Sequence, residues 1–247
     1  MLLVYIRSFL FFLWFAIGSV IIAVGGVWVL LLPRRATEIL SKTWSRMVLF
    51  GLRWIAGLGY EVRGPVPKGA VLIASKHMSM WDTVMLYLLL DDATAVVKRS
   101  LIRIPFYGWY LWKAGVIAID REGKASALKQ MVAEAKAAHD DHRPIFIFPE
   151  GHRMDVGAPP DYKPGVAALY AQLGSPCVPV ALNSGLFWTG PAGFLKKPGR
   201  VVIEFLPAIP PGLKRAEFMA KLEQQIETAT SGLIAEGKTL LEQRNAR

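Results

Sequence analysis

Two short segments carry side chains suited to acid–base and anion chemistry. The first is Lys76-His77-Met78-Ser79-Met80-Trp81-Asp82, which follows the apolar run Ala70–Ser75. Five residues on from His77, Asp82 can accept a hydrogen bond from one imidazole nitrogen and leave the other as a base. The same arrangement orients the histidine of a hydrolase triad. Here no serine or cysteine nucleophile is required, because a substrate can bring its own hydroxyl. An aspartate that merely caps a helix, beside a loop histidine, satisfies the same spacing. The second segment is Phe146-Ile147-Phe148-Pro149-Glu150-Gly151-His152-Arg153. Gly151 permits close backbone approach, and the planar fork of Arg153 suits a phosphate. Glu150 can orient Arg153 or bond a substrate hydroxyl. A strand-end turn with a surface ion pair fits this segment equally well.

Both segments need a scaffold, and the pattern around them alternates between strands and helices. Short apolar runs predict strands at Tyr60–Gly64, Ala70–Ser75, Ala95–Lys98, Gly115–Asp120, Pro144–Pro149, Val178–Asn183 and Arg200–Leu206. Helices are expected at Asp82–Leu90, Lys124–His139, Gly165–Leu173 and Lys214–Gln243, the last interrupted near Gly232 or Gly237. Alternation of this kind implies an α/β fold with a central, mostly covered β-sheet flanked by helices. Residues 59–247 form this single catalytic domain, and residues 1–58 form a membrane-associated helical region.

From Phe9 to Leu32 there is no charged residue, a stretch that reaches about 36 Å as a helix. It is too long for the core of a signal peptide and ends in Pro33-Arg34-Arg35. It either spans a bilayer or re-enters as a hairpin bent at Gly25-Gly26 and Pro33. Arg7 precedes it, and Arg34, Arg35, Lys42, Arg46 and Arg53 follow. That bias places the rest of the chain on the cytoplasmic side, at the inner membrane if the source is bacterial. Thr37–Leu58, with Trp44 and Trp54 among basic residues, fits either a helix at the membrane interface or one packed on the domain.

Composition narrows the classes further. Apolar residues make up 53% of the 247 and charged residues 19%, which favours a membrane protein. The net charge of +10 favours anionic partners, and with this apolar content lipids lead over nucleic acid. No Gly-x-Ser-x-Gly elbow occurs, which counts against a serine hydrolase. The one cysteine, Cys177, lies in an apolar run and reads as a buried thiol. His139 and His142 read as a solvated loop, and the four histidines show no metal-ligand spacing. The helix opening at Lys163-Pro164-Gly165 reads as a plain helix start, although its N-terminus can attract an anion.

Taken together, four ordered blocks resemble the glycerolipid acyltransferase family, which includes the lysophosphatidic acid acyltransferases. They are Lys76–Asp82; Lys98-Arg99-Ser100-Leu101 through Gly108-Trp109, continuing to Asp120-Arg121; Phe148–Arg153; and Cys177–Asn183. The resemblance covers about Ala70 to Asn183. It implies transfer of a fatty acyl group from an acyl thioester, acyl-CoA or acyl-carrier protein, to the sn-2 hydroxyl of 1-acyl-sn-glycerol-3-phosphate. The product would be phosphatidic acid. It implies His77 as general base, Asp82 as its orienting partner, and Glu150, Gly151, Arg153, Lys98 and Arg121 as substrate-binding residues. Lys98, or backbone N–H groups near Gly151, would face the oxyanion. Met78, Met80, Trp81, Phe106, Tyr107 and Trp109 are candidates for the acyl path, and Phe106–Trp112 for bilayer contact. Neither metal nor cofactor is implied, and no covalent acyl-enzyme. Other acceptors, such as glycerol-3-phosphate or a lyso-ornithine lipid, remain open, as does a membrane-anchored binding protein without catalysis. One departure stands out: the family usually has Thr where this chain has His152.

Overall fold

The computed structural model describes residues 1–120, 124–189 and 193–245. Its centre is a seven-stranded sheet formed by β1 (Leu58–Arg63), β2 (Leu72–Ser75), β3 (Thr94–Lys98), β4 (Ile117–Ile119), β5 (Ile145–Ile147), β6 (Cys177–Leu182) and β9 (Gly199–Phe205). The order is β1-β9-β6-β2-β5-β3-β4. Strands β6, β2, β5, β3 and β4 run parallel, whereas β9 meets β6 antiparallel and carries β1 parallel to itself. A two-residue ladder of β7 (Trp188–Thr189) and β8 (Leu195–Lys196) lies outside the sheet.

Both faces of the sheet are covered, as continuous apolar runs in its central strands require. The period of two divides the strands cleanly. Ile73, Phe146, Val178 and Val180 face one core with α3 (Met80–Leu89) and the N-terminal helices. Leu72, Ala74, Ile145, Ile147 and Cys177 face the other, closed by α5 (Lys124–Asp140), α6 (Gly165–Leu173) and α7 (Arg215–Asn245). Cys177 is fully buried, and burial pushes its thiol pKa up, which suits a structural residue.

The N-terminal region is a helical hairpin. Helix α1 (Leu2–Gly25) is long and apolar enough to cross a membrane. A 3₁₀ turn, Val27–Leu31, leads into α2 (Arg34–Gly51), which ends in a π-type turn, Leu52–Ala56. The α/β domain holds α1 near both ends. Phe11 is buried edge-on against Trp188, and Ser8 Oγ accepts the Lys196 N–H at 2.9 Å. At the far end, the Tyr110 hydroxyl of α4 (Tyr107–Ala114) donates to Ala23 O at 2.6 Å. Val48, Leu49, Leu52 and Ala56 reach the main core, so α2 is a packed helix of the domain. Trp54 stays 73% exposed on its outer side.

Three expectations change. Helix α7 runs unbroken through Gly232 and Gly237. A Cβ at Gly237 would meet Leu186 Cδ1 at 2.7 Å, so this glycine allows close packing instead of ending the helix. His139 belongs to the last turn of α5 and is half-buried, because the helix extends to Asp140. His142 does sit in the following turn, exposed, with φ of 59°. Trp81 is a core side chain against Tyr60, 1% exposed, and leaves the acyl-path candidates.

Candidate active site

Strands β2, β5 and β3 are parallel, so their C-terminal ends share one edge of the sheet. His77 follows β2, Glu150 follows β5, and Lys98 ends β3. Open α/β sheets gather ligands at this edge.

Asp82 occupies the first turn of α3, and Ser79 caps that helix in a capping box. The helix-capping and His-orienting roles that the spacing left as alternatives are both performed by Asp82. Its Oδ2 accepts the Met78 N–H at 2.7 Å and the Ser79 N–H at 2.9 Å, and lies 2.9 Å from His77 Nδ1. A buried carboxylate is an acceptor, so Nδ1 carries the proton and Nε2 presents its lone pair. Phe148 stacks on the imidazole, with centroids 3.8 Å apart and planes 14° from parallel. Met154 N–H donates to His77 O at 2.8 Å. Ring plane, tautomer and backbone are thus all fixed.

The other Asp82 oxygen is held by Ser184, whose hydroxyl donates to Oδ1 at 2.5 Å. Ser79 Oγ accepts from Trp81 N–H at 3.2 Å and donates to Ser184 Oγ at 2.9 Å. The chain Trp81–Ser79–Ser184–Asp82 runs one way, each hydroxyl accepting one bond and donating the next. Ser184 was not legible as a site residue, although Asn183 beside it belonged to the fourth block. Position alone marks it: it follows β6, next to β2 in the sheet.

A second buried network lies behind the histidine. Lys76 Nζ donates to Glu150 Oε1 at 2.6 Å and to Glu227 Oε1 of α7 at 2.8 Å. The Tyr162 hydroxyl also donates to Glu227 Oε1, at 2.9 Å. Lys76 is 2% exposed and Glu150 not at all. Burial raises the Glu150 pKa, and Lys76 opposes that rise. Glu150 Oε2 is buried without a protein partner. Glu150 therefore orients Lys76, not the Arg153 suggested by the sequence. Glu227 and Tyr162 carry no local motif, and only the fold brings α7 to this point.

Gly151 takes φ of 73°, a left-handed conformation that favours glycine. Its N–H donates to Phe148 O at 2.9 Å, so that donor closes the turn and is removed from the oxyanion candidates. Lys163 N–H donates to Pro149 O at 2.8 Å, tying the start of α6 to the same turn. His152 Nδ1 lies 2.9 Å from Glu150 O, so this residue braces the turn. Arg153 is exposed and lines a cleft of about 360 Å³ with Met78, Met80, Met154 and Trp188. Lys98 is exposed on the same edge. Arg121 lies outside the described residues.

A half-buried base on a buried carboxylate beside an exposed arginine, on the C-terminal edge of a mostly parallel sheet, suits transfer to a substrate hydroxyl. The comparisons agree. Residues 59–183 match the sequence model of the Acyltransferase family. The chain is 35% identical over 209 residues to the 1-acyl-sn-glycerol-3-phosphate acyltransferase of Pseudomonas aeruginosa, covering 83% of this chain and 81% of that protein. It is 28% identical over 169 residues to the alpha form from Mus musculus, covering 66% and 59%. The crystal structure of the 1-acyl-sn-glycerophosphate (LPA) acyltransferase PlsC from Thermotoga maritima has the same fold, with a TM-score of 0.76 at 20% identity, covering 92% of this chain and 96% of that one. The chain belongs to the Acyltransferase family.

Two substitutions test the networks. Ser184→Ala removes one charge-assisted bond from Asp82 and should cost about 1.5–3 kcal/mol in denaturant melts. It should lower kcat with KM unchanged, and by less than His77→Ala. Lys76→Met strands the Glu150 carboxylate and should cost about 3–5 kcal/mol at neutral pH. Glu150 then has its pKa raised by burial, with the Lys76 contribution that opposed the rise removed. A raised folded-state pKa means stability is lost as pH rises, so the penalty should vanish in acid and deepen toward neutrality. A penalty independent of pH would contradict this account.

Proposed function

We propose that this chain transfers a fatty acyl group from an acyl thioester, acyl-CoA or acyl-carrier protein, to the sn-2 hydroxyl of 1-acyl-sn-glycerol-3-phosphate, giving phosphatidic acid for phospholipid synthesis. The observation that carries the reading is the direction of the hydroxyls around the dyad. Ser79 and Ser184 spend their protons on the Asp82 side, and among the described residues no hydroxyl or thiol is hydrogen-bonded to His77 Nε2. The nucleophile then comes from the substrate.

His77 takes the proton of the acceptor hydroxyl as its oxygen bonds to the thioester carbonyl carbon. Asp82 stabilises the imidazolium. Collapse of the tetrahedral intermediate breaks the C–S bond, and the thiolate leaves with the proton from His77. The products are one ester and one thiol. Arg153 binds the acceptor phosphate, with Lys98 and Arg121 as further cations, and Lys98 also suits the oxyanion. The names of the relatives from Pseudomonas aeruginosa and Mus musculus support the acceptor assignment.

The hairpin supports a location on one membrane face. The contacts that hold α1 to the domain near both ends support a reading in which its outer side rests in a single leaflet. The excess of basic residues favours the anionic cytoplasmic leaflet.

The test is an assay of isolated membranes with labelled acyl-CoA and acyl-carrier protein against lysophosphatidic acid, glycerol-3-phosphate and lyso-ornithine lipid. Lysophosphatidic acid should be the best acceptor. His77→Ala should lower kcat about 10²–10⁴-fold while the protein stays in the membrane. Arg153→Ala should chiefly raise KM for phosphate-bearing acceptors. Wild-type turnover by His77→Ala would end the mechanism.

A further inference from the structure

Helix α4 presents an aromatic face that the domain does not cover. Phe106, Trp109 and Trp112 project outward, Trp112 being 73% exposed, while Gly108 and Leu111 are buried on the inner side. The backbone holds this face out at a cost. Phe106 has φ of 61° and ψ of −62°, and Tyr107 N–H bonds to Pro105 O at 2.7 Å. That is a γ-turn in its strained form, at a residue with a bulky side chain. Among the described residues, the Phe106 ring pairs with the Trp109 ring, itself exposed, at 4.9 Å. An apolar surface outside the domain would offset that strain by covering the rings.

Two observations identify that surface. The first is continuity with the hairpin. The Tyr110 bond to Ala23 seats α4 against the end of α1, beside the turn where Leu31 is 88% exposed. The aromatic face and the hairpin tip therefore adjoin. The second is charge. From Thr94 to Ile119 the chain carries Lys98, Arg99, Arg103 and Lys113 and no acidic residue. Tryptophans flanked by basic side chains match the interfacial layer of an anionic bilayer. The same helix is joined to the site edge by the chain itself: β3 ends at Lys98, and the 3₁₀ turn Arg99–Arg103 leads from it into α4.

We propose that the outer face of α4, built on Phe106, Trp109 and Trp112, is a second bilayer contact that sets the active-site cleft at the level of anionic lipid headgroups. The inference rests on the membrane association proposed above. It gives the site an orientation: an acceptor enters with its phosphate toward Arg153 while its chain stays in the leaflet.

The test uses the full chain, whose one cysteine, Cys177, is buried and resists labelling. Spin labels go at Trp109→Cys and Trp112→Cys. Val20→Cys on the exposed side of α1 serves as the anchor reference, and Lys136→Cys on exposed α5 as the water reference. The protein is reconstituted in vesicles of phosphatidylethanolamine and phosphatidylglycerol, and collisions with oxygen and with a water-soluble nickel chelate are compared. Positions 109 and 112 should favour oxygen, as position 20 does, while position 136 favours the chelate. If 109 and 112 behave like 136 while 20 stays lipid-like, the α4 contact is refuted and the membrane anchor stands. If position 20 is also water-like, the membrane reading falls with it.

Discussion

A buried carboxylate organises this protein. Asp82 is fully inaccessible to solvent, and an ion in that position costs several kcal/mol unless its oxygens are satisfied. His77, Met78, Ser79 and Ser184 satisfy them. These donors come from the end of β2, the cap of α3 and the turn after β6. The carboxylate thus ties these three segments together at the site.

Sheet topology supplies the rest. Parallel β2, β5 and β3 deliver a base, an acid and a cation to one edge, each from a strand end backed by two cores. Helix α7 then crosses behind that edge, and its Glu227 joins Lys76 and Glu150 in a charged cluster. One lysine between two carboxylates explains why Lys76 tolerates near-complete burial. The N-terminal hairpin is part of the same body, since Phe11 and Leu52 belong to the core that also holds Trp81.

Most of this was legible in the chain because local patterns encode it. Apolar runs of strand length gave the sheet strands, and the His77–Asp82 spacing matches a contact the fold makes. What escaped was set by contacts between distant residues. Ser184 lies 102 residues from Asp82, and Glu227 lies 151 from Lys76; no window in the sequence relates them. Gly232 and Gly237 looked like helix breakers because propensity counts only the helix itself, whereas at Gly237 the packing of Leu186 decides. Glu150 was paired in expectation with the nearest arginine, but Lys76 reaches it from the neighbouring strand.

The central claim is that the substrate, not the protein, supplies the nucleophile. Initial rates measured across a grid of acyl-donor and lysophosphatidic acid concentrations test it most directly. Direct transfer in a ternary complex predicts double-reciprocal lines that intersect. Parallel lines, the mark of a covalent acyl-enzyme, would contradict it.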